Sequence, residues 1–340
     1  ILGRYGEIYL KRNTKLEPKY INRLNSLGYS GIYIEDDISE GIEISEIVDT
    51  KIRLDTVNKV KDIYDLININ KKKLFSNWQE LDYLTSNIIS QMSNNKNVAY
   101  NMLYIKTYDD YTFSHCVNVA LLSTLVGIEL HMSRADLIDL FKSALMHDLG
   151  KVFLPIDIIN KPGILNDYEF AKIKQHPLKG YEFLKEENYL SMKGCRGVLM
   201  HHERYDGRGY LLGAMKDEIN LYGKILSICD VYDALTSDRT YRKAWSQLEA
   251  IEYIMANSGQ MFDPEVTKMF LKKIAPYNPG VIVLLSNGFK AIIVRNNEEL
   301  PLRPVIRIFE ENGSRVDSYE VDLKNSNHFL NVTIEKEVEI

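Results

Sequence analysis

Apolar residues along this chain follow a helical period over most of its length and then switch to a period of two. Between Ile52 and Ile88 they recur every three or four positions, at Val57, Val60 and Tyr64, then at Phe75, Trp78, Leu81, Leu84 and Ile88, which is the spacing of one helix face. Such a stripe has two uses, a seam between two copies of the chain or packing on its own domain's core. Helical spacing continues almost unbroken over residues 107–275. His115 opens an apolar run through Leu130, and Ser133 caps a helix with a buried stripe at Leu137, Leu140, Phe141, Ala144 and Leu145, stopped at Gly150. Asn166 with Glu169 and Ser246 with Glu249 match capping boxes, and Asp263-Pro264 places a cap before a proline at the first helical position. After Pro276, Val281 to Leu285 and Phe289 to Arg295 read as a hairpin joined through Ser286-Asn287-Gly288; Val305 to Phe309, a second Asn-Gly at 312–313 and Phe329 to Ile334 extend it.

The first 50 residues are a different mixture. Ile8-Tyr9-Leu10 and Gly31-Ile32-Tyr33-Ile34 read as short strands, Asn13-Thr14 as a turn, Pro18 to Leu27 as a helix stopped by Gly28, and the acidic Glu35 to Glu46 as a linker. The expected fold is mainly α: an all-helical core with small β-containing appendages at both ends. Its parts are a small α/β cap over 1–50, a helical linker over 51–106, the core over 107–275 and a β appendage over 276–340. No internal repeat stands out.

A hydrophobic fraction of 45% with 26% charged residues supports a sizeable core. The net charge of −5 argues against binding a nucleic-acid polymer, while leaving room for a small anion in a local basic pocket. Three cysteines (Cys116, Cys195 and Cys229) without CxxC spacing point to a reducing compartment, and the expected location is cytoplasmic. No run reads as the ~18 apolar residues of a membrane span, and no secretory leader opens the chain. The chain starts at Ile1, so an upstream sensory segment or signalling partner is expected.

Chemistry concentrates between residues 115 and 233. Five of the seven histidines are His115, His147, His176, His201 and His202. Neutral imidazole is a common ligand for divalent first-row metals, and a carboxylate such as Asp148 can bridge two ions. His147 and Asp148 are adjacent at a helix end, where Gly150 supplies the turn that lets both face one cavity. His176 precedes Pro177, which ends its element, and His201 and His202 end a helix before glycines at 207 and 209. Asp230 lies in an apolar helix over 222–235, where an unpaired carboxylate is costly and a metal answers the cost; Asp233 follows one turn later. His131 and His328 lack such context.

These residues resemble a known family. His147-Asp148 with an earlier His115 and a later Asp230 is similar to the HD phosphohydrolase superfamily. His176-Pro177 and the run His201-His202-Glu203-Arg204-Tyr205-Asp206-Gly207-Arg208-Gly209-Tyr210 resemble its HD-GYP branch, the cyclic di-GMP phosphodiesterases of bacterial signalling. Asn160-Lys161-Pro162-Gly163 and the stretch from Asp233 to Arg242 agree, and the likeness covers roughly residues 107–275. It implies a binuclear centre, iron by preference with manganese as the alternative. One ion would take His115, His147, Asp148 and Asp230; the other would take His176, His201 and His202 and share Asp148.

Two departures stand out. Some members hold a third metal through a Glu one turn before the first His, where this chain has Tyr111, so two metals are expected. The branch's Gly-Tyr-Pro is Gly209-Tyr210-Leu211 here, which relaxes the loop and restores a backbone donor. The resemblance further implies hydrolysis of cyclic di-GMP to pGpG, and onward to GMP, by a hydroxide that two metals activate. Asp148 and Lys151 would be catalytic. Lys151, Tyr210, Asp233, Arg239 and Arg242 would contact the substrate, the guanidinium forks suiting phosphate or guanine. Three rival readings stay open: a hydrolase of another cyclic dinucleotide such as 3′,3′-cyclic GMP-AMP, a non-catalytic receptor, and a plain HD nucleotidase.

Overall fold

The structure is a computed structural model that describes residues 8–11, 14–27, 32, 34–42, 47–70, 75–94, 111–159, 161, 163–237, 243–274, 276–297 and 300–338. Arg239 and Arg242 lie outside the described residues. The chain divides into two compact units, the first comprising 1–29, 47–96 and 106–270 and the second 30–46, 97–105 and 271–340.

The first unit is helical. Its regular elements are α1 (Pro18–Ser26), α2 (Thr50–Asn70), α3 (Phe75–Asn94), α4 (Tyr111–Glu129), α5 (Arg134–Leu145), a 3₁₀ turn (Leu149–Phe153), α6 (Ile156–Ile159), α7 (Asp167–Ile173), α8 (His176–Glu187), α9 (Met192–Met200), α10 (Leu221–Thr236), α11 (Gln247–Ala256) and α12 (Pro264–Lys273). The expected caps are present. Ser133 accepts from the Asp136 N–H, Asn166 and Ser246 form capping boxes with Glu169 and Glu249, and Asp263 accepts from Glu265 and Val266.

Helix α4 runs through the middle of this unit, packed by α2, α5 and α10. A window over Thr112–Glu129 is apolar enough by composition to span a bilayer, a feature the sequence reading missed; 78% of it is buried inside the protein. Such an all-round apolar helix fits a core position. The stripe of α2 and α3 is also buried, with Val60, Leu81 and Ile88 fully covered, and both helices pack on α4 while α3 also meets α5. Of the two uses of that stripe, packing on the protein's own core is the one found. The helices set apart as a linker are therefore part of the same unit as the histidines.

The strands expected at 8–10 and 31–34 do not form among the described residues. Ile8 makes a single bridge, Tyr9 and Leu10 are bends, and Ile32 and Ile34 are irregular. Ile8 and Ile34 remain more than half exposed, so strand pairing would have had no buried face to gain.

The second unit holds a five-stranded antiparallel sheet in the order β4-β3-β2-β1-β5: β1 (Ile282–Leu285), β2 (Lys290–Arg295), β3 (Val305–Glu311), β4 (Ser314–Asp322) and β5 (Ile334–Glu337). Gly288 (φ +83°) closes the β1–β2 turn, and Asn312 and Gly313 (φ +49° and +80°) close the β3–β4 turn, left-handed values that suit Asn-Gly. The last strand begins at Ile334 instead of running from Phe329. The intervening backbone wraps around Arg303, whose guanidinium donates to the carbonyls of Leu323, Phe329, Leu330 and Val332. The acidic segment read as a linker is likewise held, its Ile38 and Glu40 carbonyls accepting from Arg307.

Candidate metal centre

Five places in the first unit deliver the predicted ligands to one site. Helix α4 carries His115 and α10 carries Asp230, while the turn after α5 carries His147 and Asp148. The α7–α8 joint carries His176, and the end of α9 carries His201 and His202. Pro177 does not end the element of His176. It opens α8, where its missing N–H is no loss.

Three of the histidines use one local device. The Nδ1 of His147 lies 2.7 Å from the Ala144 carbonyl, that of His176 2.8 Å from Ile173, and that of His201 2.6 Å from Val198, each three residues back. These are carbonyls at helix C-termini, short of intrahelical partners. A carbonyl only accepts, so each Nδ1 carries the proton and each Nε2 turns its lone pair inward. His115 reaches the same state differently: its Nδ1 is 2.6 Å from Asp233 Oδ2, and Asp233 Oδ1 accepts from Asn118 at 2.8 Å. Among the described residues His202 makes no bond of this kind, and its Nδ1 faces Asp230 Oδ2 at 4.0 Å.

The carboxylates lie between the rings. Asp148 Oδ2 is 3.5 Å from His147 Nε2 while its Oδ1 is 3.3 Å from His176 Nε2, so its two oxygens face two different imidazoles. Asp230 Oδ1 is 3.1 Å from His115 Nε2. Candidate ligand atoms gather within 4.8 Å of one another in three overlapping sets: His115, His147 and Asp148; His147, His201 and Asp230; and His176, His201 and His202.

Burial and charge keep His176, His201, His202 and the two carboxylates in the form a cation needs, while His115 is held as a cation by its carboxylate partners. Burial pushes His176 down to about 3 and His202 to about 4, and holds His201 well below its ordinary value. Burial opposes ionisation of Asp148, but Lys151 and the imidazoles hold it well below the carboxylate range; His115 does the same for Asp230. Burial also opposes protonation of His115, yet its bonds to Asp230 and Asp233 raise it to about 10, and the same two carboxylates would favour a cation on its Nε2. The fit to a metal is tested by His147 Nε2, a buried lone pair with no hydrogen-bond partner. An apolar site would not leave such an atom facing two carboxylates.

Gly150 serves a purpose the sequence did not reveal. It is not in the left-handed region; a methyl group there would strike the His176 carbonyl and stand 2.7 Å from the Gly180 nitrogen. The glycine pair lets α8 close on the 3₁₀ turn and bring His176 to Asp148.

The remaining candidates divide. Lys151 Nζ is 2.6 Å from Asp148 Oδ2 with 36% of its side chain exposed, at the edge of the ligand set. Tyr210 stacks on His202 with ring centroids 4.7 Å apart, and Lys174 Nζ stands 5.3 Å from its centroid. Asp233, expected to touch substrate, is fully buried behind His115. Sequence reasoning missed Asn118 and Glu203. Asn118 could have been found as a polar residue three positions after His115 on an apolar helix. Glu203, buried, accepts from the Leu212 N–H at 2.6 Å, while Tyr210 N–H donates to His202 O at 3.2 Å. These bonds pin the loop on either side of Leu211, where the branch has proline.

Comparison with known proteins identifies the family. A sequence profile of the HD domain matches residues 64–266, and one of the KOW domain associated with HD domain matches 282–339. The cyclic di-GMP phosphodiesterase PA4108 of Pseudomonas aeruginosa is 34% identical over 233 residues, 68% of this chain and 56% of that protein. The 3′3′-cGAMP-specific phosphodiesterase 2 of Vibrio cholerae is 33% identical over 183 residues, 52% of this chain and 34% of its own length. The chain thus spans only about half the length, or less, of these relatives. Bd1817, an HDG"Y"P protein from Bdellovibrio bacteriovorus, superposes with a TM-score of 0.53 over 74% of this chain and 77% of its own at 16% identity, a likeness of fold. With the HD pair, the His176-Pro177 dipeptide and the double histidine converging in one buried site, the chain belongs to the HD domain family, in its HD-GYP branch.

Proposed function

We propose that this chain is a metal-dependent phosphodiesterase that hydrolyses cyclic di-GMP to pGpG, and onward to GMP, at a binuclear centre. The observation that carries the reading is Asp148, whose two oxygens address different imidazoles and suit it to bridge two ions. His115, His147 and Asp230 would complete one ligand set and His176, His201 and His202 the other. Imidazole-carboxylate ligation suits iron or manganese.

Bound ions would supply Lewis acidity that activates water and neutralises the charge on a phosphodiester. The protein's own residues do the rest. Backbone carbonyls hold the Nδ1–H of three histidines, so in each neutral ring the Nε2 lone pair is the one offered to a cation. Lys151, at the edge of the cluster, would take a phosphate oxygen, and Tyr210, stacked on His202, is proposed as a further substrate contact. Arg239 and Arg242 are proposed as further phosphate or guanine contacts. The proposed setting is the cytoplasm, in keeping with three free, buried thiols.

The V. cholerae relative favours a second reading, hydrolysis of 3′,3′-cyclic GMP-AMP. The test is initial rates on both dinucleotides, alone and in competition, with products separated as pGpG and GMP. A preference for cyclic di-GMP supports the proposal; faster turnover of the mixed dinucleotide replaces it with the second reading, and turnover of neither rejects both.

A further inference from the structure

Arg53 lies in the first turn of α2, outside the residues matched by the HD profile, and is only 8% exposed. Arginine is seldom buried without a partner that needs it. Its Nη2 donates to Asn118 Oδ1 at 2.5 Å. Asn118 Nδ2 donates to Asp233 Oδ1 at 2.8 Å, Asp233 Oδ2 is 2.6 Å from His115 Nδ1, and His115 Nε2 faces Asp230. A continuous buried chain therefore runs from α2 through α4 and α10 to the metal-facing nitrogen of His115.

The direction of every link follows from donor and acceptor chemistry. Guanidinium can only donate, so the Asn118 oxygen must face Arg53 and its NH₂ must face Asp233. Asparagine by itself is ambivalent. Flipped, it would set its oxygen against a buried carboxylate and leave Arg53 facing another donor. With Asn118 oriented, Asp233 is fixed by a hydrogen bond on one oxygen and takes the His115 Nδ1–H on the other. That turns Nε2 toward Asp230 and the other candidate ligands.

We infer that Arg53 is a positioning residue for the metal centre: as the one obligate donor in the chain, it orients Asn118 and Asp233 so that His115 presents Nε2 to a divalent first-row cation. The inference rests on the metal reading proposed above. It also makes α2 part of the catalytic unit, since a shift of its first turn would be felt at His115.

The experiment is Mn(II) titration of the full chain followed by electron paramagnetic resonance, with the visible spectrum of the Co(II)-loaded protein and the thermal midpoint measured before metal is added. R53M is expected to weaken binding of one Mn(II) by about 10- to 100-fold, the usual range for residues that orient a metal ligand, and to alter the Co(II) spectrum. R53Q, milder for folding but ambivalent like asparagine, is expected to weaken binding too. R53K, again an obligate donor, is expected to restore most of the affinity. Wild-type affinity and spectrum in both R53M and R53Q, with only a lowered thermal midpoint, would overturn the inference and leave the proposed function standing. A wild-type chain that binds no Mn(II) would overturn both.

Discussion

Gly150→Ala perturbs the centre without touching a ligand. The added methyl would meet the His176 carbonyl and the Gly180 nitrogen at 2.7 Å, both backbone atoms that cannot rotate away. Either α8 moves outward or the 3₁₀ turn unwinds. Overpacking of a well-filled site costs about 1–3 kcal/mol, and a backbone clash belongs at the upper end, about 3 kcal/mol. With a urea slope of about 3 kcal/mol/M, the midpoint should fall by about 1 M. The movement also draws His176 away from Asp148 Oδ1, 3.3 Å distant in the native site. A displacement of about 1 Å at a reacting centre costs on the order of 10²-fold in rate. Gly180→Ala is the control, since its added carbon would meet Val198 Cγ1 and the Gly150 nitrogen at 3.3 Å, tight but tolerable contacts. Urea unfolding, metal content and hydrolysis rates of the two variants are the assay. Equal midpoints for the two variants, or a G150A protein with wild-type metal content and rate, would refute the close-approach argument.

Three further outcomes are expected. The Leu211 N–H makes no hydrogen bond among the described residues, whereas the Tyr210 N–H donates to the His202 carbonyl and the Leu212 N–H to the Glu203 carboxylate, so L211P should keep the loop and change KM by less than about threefold; E203A, which frees Leu212, should raise KM with metal content unchanged. Lys193 and Ser133 hold the Asp136 carboxyl below its ordinary value, with Tyr222 also donating. A depressed folded-state pKa gives stability that is present above the unfolded value and lost as the pH falls; the gap in unfolding midpoint between wild type and D136N should therefore narrow as the pH falls below about 5, and a gap constant with pH would contradict this. Removing metal with a chelator should lower the thermal midpoint, because a cation bound only by the native state stabilises it, and D230A should show a smaller drop.

Local chemistry was legible in the sequence because its signals span few residues. Ser133, Asn166, Ser246 and Asp263 each cap the backbone two or three positions ahead, and both Asn-Gly turns need only their own φ values. The candidate metal site was legible for a related reason: seven donors of metal-binding type stood in family-like order, and the fold brings their atoms into overlapping groups that could hold a metal. What escaped depends on contacts between distant segments. Nothing near Gly150 announces that α8 will press on it, and nothing near Arg303 says that residues 329–332 will wrap around it instead of extending a strand. Asp233 reads from the sequence as a substrate contact one turn after Asp230; only the arrival of α4 makes it the partner of His115. Periodicity showed that α2 and α3 had an apolar face without showing which core would cover it.

The central claim is that Asp148 joins two imidazole sets into one hydrolytic centre, and the most direct test counts metal and turnover on the same sample. Protein purified anaerobically, wild type and D148A, would be assayed for iron and manganese per chain and for cyclic di-GMP hydrolysis. About two metals per chain with turnover are expected in the wild type, and loss of metal together with turnover in D148A. Two metals retained in D148A, or a fully loaded wild-type protein that binds the dinucleotide without cleaving it, would contradict it.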